Sequence, residues 1–178
     1  MKIAIASDIH GSYPAAEAFF YMAEKMGAER FVLLGDLYYH GVRNELPEGY
    51  APMKVAELLN ARKESIIAVR GNCDSDVDRT VSDFEMQTSA LLFIGGKTVF
   101  CTHGDHYDKD HLPCGKYDVM LYGHYHTGFI EKKGDMIFAN PGSVSLPKGG
   151  TEKSFLLLDE GSLTLVSLTG REIARLAL

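Results

Sequence analysis

KIAIASDIHGSYPAAEAFFYMAEKMGAERFVLLGD, residues 2–36, decides the fold class. Lys2 to Ala6 reads as a buried strand, and Ser12-Tyr13-Pro14 reads as a helix start with Pro14 in the first turn. Residues 14–26 carry apolar side chains at helical spacing, and Gly27 closes the run. Phe31 to Leu34 is a second apolar strand. The unit is β-α-β, so the two strands run parallel and the crossover is expected to be right-handed. Both strands end in polar residues, Asp8-Ile9-His10 and Gly35-Asp36. Ligands of an open α/β sheet bind at such carboxyl ends.

Working outward, the same arrangement recurs three more times. Ile66 to Val69 leads into Gly71-Asn72-Cys73-Asp74, Thr98 to Cys101 into His103-Gly104, and Val119 to Tyr122 into Gly123-His124-Tyr125-His126. A helix over about 51–62 is expected before the third strand, and the irregular stretch 37–50 should border the site. The second half changes character. Strands are expected at 84–94 and 97–102, joined by a Gly95-Gly96 hairpin. Further strands are expected at 118–122, 127–132, 136–139, 153–159 and 162–168, with 171–178 as a last strand or a loose end. Alternating β and α followed by hairpins implies two sheets packed face to face with helices outside.

At 178 residues one domain over 1–178 with a sizeable core is expected. A net charge of −6 argues against gripping nucleic acid by bulk electrostatics, but not against a nucleotide-like substrate. The apolar run after Lys2 is too short for a signal h-region, and no stretch reaches membrane-span length. Cys73, Cys101 and Cys114 form no paired framework, which fits a reducing, cytoplasmic setting.

Each polar patch has a plain structural reading when taken alone. Asp8-x-His10 could be an Asx-turn beside an exposed histidine, Gly35-Asp36 a tight turn, and Gly71-Asn72 another. Alternate strand residues point the same way, so Asp8 and His10 could instead grip one ion. Asp36 could bridge two ions, Asn72 offers a neutral hard oxygen, and His124 and His126 could face one site. Five coincidences at strand ends are hard to attribute to turns. Two carboxylates, one amide and four imidazoles suit a di-manganese, di-iron or mixed centre better than a structural zinc site. His40, His106 and His111 lie in irregular segments and read as surface or rim residues.

Together these blocks resemble the calcineurin-like metallophosphoesterases, whose pattern is Asp-x-His, Gly-Asp, Gly-Asn-His-Asp/Glu, His and Gly-His-x-His. The short length, Cys73 and Asn140-Pro141-Gly142-Ser143 are similar to the small YfcE-like phosphodiesterase subfamily. The resemblance implies a four-layer α/β/β/α sandwich of two mixed sheets, the metallo-dependent phosphatase fold. It implies one metal on Asp8, His10, Asp36 and His126, and another on Asp36, Asn72, His103 and His124. The ions expected are two divalent cations, manganese first, with iron, nickel or zinc as alternatives. The activity implied is hydrolysis of a small phosphodiester by a hydroxide generated at the dinuclear centre. Asp36, Asn72, Cys73 and Asp74 are then the catalytic positions, Asp74 orienting a neighbouring group.

The resemblance also suggests dimers or tetramers, while charge and hydropathy point to no bulk nucleic-acid binding and no membrane partner. The chain departs from the larger members at Cys73, where they carry a histidine. A thiol is a poorer donor without positive charge, so His106 is the alternative proton source considered. A phosphomonoesterase drawing on Arg43, Arg70 or Arg79 is a competing reading, and a retromer-subunit-like binding scaffold is another.

Overall fold

The computed structural model describes residues 1–178. In chain order the elements are β1 (Ile3–Ala6), α1 (Tyr13–Lys25), β2 (Arg30–Leu33), α2 (Pro52–Asn60), β3 (Ile66–Val69), α3 (Asp76–Val81), β4 (Met86–Gln87) and β5 (Ala90–Ile94). There follow β6 (Lys97–Thr102), β7 (Val119–Tyr122), β8 (Gly128–Lys133), β9 (Met136–Pro141), β10 (Ser154–Leu158), β11 (Ser162–Ser167) and β12 (Glu172–Ala177). One sheet has the order β12-β11-β10-β1-β2-β3-β4 and the other β5-β6-β7-β9-β8. β1 to β4 run parallel in the first, and β6, β7 and β9 run parallel in the second. Antiparallel strands flank both sets, so both sheets are mixed.

The alternation of side chains along the strands sorts the core into layers. Ala4, Ala6, Phe31, Leu33 and Phe155 face the helices, where Phe19 and Phe20 of α1 are fully buried. Removing either ring would cost about 3–5 kcal/mol. Ile3, Ile5, Val32, Leu156 and Leu158 face the other way and meet Val99, Cys101, Val119 and Leu121 of the second sheet. The far face of that second sheet carries Phe100, Met120, Tyr122 and Phe138. It is covered by Tyr107 and Tyr117 of the 103–118 connection, whose rings lie 6.0 and 4.9 Å from Phe100. The sandwich is thus helix, sheet, sheet and irregular chain, and the expected outer helices cover only one sheet.

Helix α1 ends as its sequence requires. Gly27 has φ +83°, Gly27 N–H donates to Glu24 O and Ala28 N–H to Ala23 O, a Schellman close. Its start differs in detail: the Ser12 hydroxyl donates to Glu48 O instead of capping the helix.

One further expectation needs correction. The single strand at 84–94 is two strands in different sheets: Met86 packs toward the helices, whereas Ala90, Leu92 and Ile94 face the space between the sheets. Apolar residues stand in one phase on both sides of the crossover, Phe84 and Met86 before it and Ala90, Leu92 and Ile94 after it, and only Thr88 interrupts them. Helix α3 was not foreseen; Ser75 caps it through a reciprocal bond with Asp78. Of the two readings of the tail, residues 172–177 take the first, forming a last strand at the edge beside β11. No helix is long and apolar enough to cross a membrane.

Candidate functional site

Because β1, β2 and β3 are parallel, their carboxyl ends lie side by side, and those of β6 and β7 meet them across the sandwich. The chain there takes an unusual path. Five non-glycine residues have positive φ: Asp8 (56°), His10 (50°), Asp36 (56°), His124 (66°) and His126 (58°). All five are among the seven expected ligands. Left-handed backbone costs an L-residue about 1–2 kcal/mol, so the surrounding structure must hold each in place. Asp8 and His10 therefore share a direction because of a left-handed turn after β1, not because of strand pleating.

The clamps are visible. Asp8 N–H donates to Gly35 O, His10 N–H to Asp36 O, and Gly123 N–H to His103 O. The Ser143 and Ser145 hydroxyls both donate to Asp8 O, at 2.7 and 2.9 Å. Asn140 donates to Gly123 O at 2.7 Å. Asp74 accepts from the backbone N–H groups of Asp36, Leu37 and Gly71, each at 2.8 Å. Burial pushes the Asp74 carboxyl up to about 6, opposed by these N–H donors. Two glycines allow the close packing: a Cβ on Gly71 would strike the Asp36 carboxylate, and one on Gly123 the Ser7 hydroxyl.

The seven side chains converge. His10, His103 and His126 each place Nδ1 against a backbone carbonyl, of Tyr39, Leu34 and Leu146, at 2.6–2.7 Å. Donating there leaves the Nε2 lone pairs facing inward. His10 Nε2 lies 3.1 Å from His126 Nε2. Both approach Asp8 Oδ1, at 3.6 and 3.2 Å, and this buried oxygen has no hydrogen-bond partner. Asn72 Oδ1 lies 3.0 Å from His103 Nε2 and 2.8 Å from His124 Nδ1. The Asp36 oxygens divide: Oδ1 is 3.5 Å from His103 Nε2, and Oδ2 is 3.7 Å from His10 Nε2. Buried lone pairs pointed at one another repel unless a cation lies among them, so this donor set fits divalent metal.

Electrostatics follow from the crowding. Burial would raise the Asp8 carboxyl, but His10, His126 and the charge of His103 hold it well below the usual carboxylate range. Burial lowers His10 and His103, yet Asp8 in both cases outweighs it with other partners, and both end above the ordinary histidine value. Burial and the neighbouring His103 depress His124.

The remaining candidates are scattered. Cys73 donates its N–H to Asp36 Oδ1 at 2.8 Å, and burial together with Asp36 pushes its thiol up to about 12. His106 is four-fifths exposed and paired with Asp105 at 2.9 Å. His40 is half-buried, its ring packed against Tyr39 and Tyr50 at 4.8 and 5.5 Å. Arg79 lines a separate hollow with Phe84, away from the ligands. Lys148, beside His126, was missed for want of any motif. Asn140 and Ser143 were noticed as part of a pattern, without the anchoring role their hydrogen bonds reveal.

A family model described as the calcineurin-like phosphoesterase superfamily domain matches residues 1–162. The chain is 44% identical over 175 residues to phosphodiesterase YfcE of Escherichia coli strain K12, covering 97% of this chain and 95% of that protein. The solved structure of the E. coli phosphoesterase Yfce superposes with a TM-score of 0.95 at 43% identity, covering 99% of each chain. Vps29 of Chaetomium thermophilum superposes with a TM-score of 0.67 at 17% identity, covering 100% of this chain and 97% of that one. That last likeness is one of fold alone.

Proposed function

The chain belongs to the calcineurin-like phosphoesterase superfamily, and from that premise we propose that it is a metal-dependent phosphodiesterase acting on a small phosphodiester. Asp8, His10, Asp36 and His126 would hold one divalent ion, and Asp36, Asn72, His103 and His124 a second. The observation that carries this reading is the backbone: every non-glycine residue held left-handed is one of these seven. The divided Asp36 carboxylate supports a bridging role. Manganese suits a mixed set of carboxylate, amide and imidazole donors, and iron, nickel or zinc would also find imidazole donors there. When bound, such a pair supplies Lewis acidity to phosphoryl oxygens and draws the pKa of water toward neutrality.

The protein's own contribution is rigidity. The three Nδ1–carbonyl bonds fix the imidazole tautomers, and Asp74 fixes the turn that presents Asp36. Cys73 enters as a neutral thiol and a weak donor, which favours leaving groups that need little protonation.

The test is initial rates on bis-p-nitrophenyl phosphate and p-nitrophenyl phosphate, after chelation and after Mn²⁺ is restored. Mn²⁺-dependent cleavage favouring the diester is expected. Monoester preference would replace this reading with a phosphatase. Failure on both esters with metal bound would replace it with a binding scaffold.

A further inference from the structure

Two grooves meet at the ligand cluster, and Asn72 lines both. The smaller, about 580 Å³, runs past Arg70, Thr102 and His106. The larger, about 770 Å³, passes Asp36 and His126 and carries Tyr39, Arg43, Tyr125 and Lys148. Each lies within the size range of small-molecule sites. A phosphodiester centred on Asn72 has two ester arms and could send one into each groove.

The larger groove is chemically distinctive. Although the chain carries a net charge of −6, Asp36 is the only carboxylate among its lining residues. Two cations reach it from different connections, Arg43 between β2 and α2 and Lys148 between β9 and β10. Neither takes part in an ion pair with the chain's own acids, whereas Arg70 in the other groove is held by Asp76 at 3.2 Å. Unpaired cations converging on an acidic protein's site attract an anion. The two tyrosines present partly exposed rings. Tyr125 is pinned by its hydroxyl, which donates to Asp108 at 2.7 Å, and its ring stands 5.3 Å from His124.

We propose that the larger groove is a specificity subsite for the retained arm of the diester, and that this arm bears a flat ring and a second anionic group. The ring would lie on Tyr39 or Tyr125, and the anion would be held by Arg43 and Lys148. A nucleotide-like arm with an additional phosphate has this chemistry, and exposed tyrosines stack bases without demanding a sequence. The inference rests on the phosphodiesterase reading above.

The test compares two substrates of the Mn²⁺-loaded protein, thymidine 5′-(p-nitrophenyl phosphate) and the same ester carrying a 3′-phosphate. Each yields p-nitrophenol and the corresponding thymidine 5′-phosphate on hydrolysis. Two exposed charge contacts should raise kcat/KM for the 3′-phosphorylated ester roughly three- to tenfold, and salt should erode the advantage. In the Arg43→Gln/Lys148→Gln double variant the ratio between the two esters should fall to about one. Calorimetric titration with thymidine 3′,5′-bisphosphate against thymidine 5′-phosphate should show the same ratio without turnover. Equal kcat/KM for both esters in the natural protein, or an undiminished ratio in the double variant, overturns the subsite. Failure to cleave either ester overturns the phosphodiesterase reading, and the subsite with it.

Discussion

Asp74→Ala removes the carboxylate that fixes the Asp36 turn, and its cost can be worked from the contacts. The side chain is 3% exposed and accepts three backbone N–H groups at 2.8 Å. An unsatisfied buried donor costs about 1–3 kcal/mol, so three give roughly 3–9 kcal/mol. Against this, the substitution relieves a buried charge. Raising a carboxyl from 3.8 to about 6 costs the ionised form about 3 kcal/mol. The difference is roughly 0–6 kcal/mol near pH 8, centred on about 3 kcal/mol. For a chain of this size the central value lowers Tm by roughly 6–12 °C.

The pH dependence has a definite sign. A carboxyl whose folded pKa is raised contributes stability that is present below its ordinary value and lost as pH rises through about 6. The gap between natural protein and variant should therefore be wider at pH 5 than at pH 8. Circular-dichroism melts of chelated protein at both values would measure it, with Asp74→Asn falling in between because it retains one acceptor. A gap that stays constant or widens with rising pH would refute the reasoning.

Asp36→Asn should abolish diester hydrolysis while leaving the melt nearly unchanged, since asparagine tolerates the left-handed turn; near-normal turnover with full metal content would contradict the bridging role. His10 and His103 lie above their ordinary value, so in chelated protein the stability they contribute is present below about 6.5 and lost as pH rises. His124 opposes them. Melts of chelated protein between pH 6 and 8 should fall, and those of metal-loaded protein should not. Cys73→His should most improve esters with poor leaving groups, and an equal gain across a series of substituted phenyl esters would count against a limiting proton donation at that position.

The sequence exposed the parts of the molecule that depend on short-range patterning. The β-α-β start, the Gly95-Gly96 hairpin and the strand ends are consequences of apolar runs and turn residues within a few positions. Convergence of the seven side chains was legible because parallel strands bring their carboxyl ends together. What escaped depends on contacts distant in the chain. Left-handed φ at Asp8, His10 and Asp36 is held by bonds to Gly35 and Asp36 and from the serines near 143, and the general tolerance of Asp and His for that region does not single out these positions. The sheet switch between Gln87 and Ala90 keeps the apolar residues in one phase, and its sole mark is the polar pair Thr88-Ser89. The absence of a helix over the second sheet was hidden because Tyr107 and Tyr117, in an irregular segment, cover that face instead. Lys148 reaches the site from a loop without regular structure.

The most direct test of a dinuclear centre is a titration of chelated protein with Mn²⁺, following initial rates on bis-p-nitrophenyl phosphate against equivalents added. No cleavage should occur without metal, and the rate should climb to a plateau at two equivalents per chain. A plateau at one equivalent, or full activity in the chelated protein, would contradict the assignment of seven side chains to two ions.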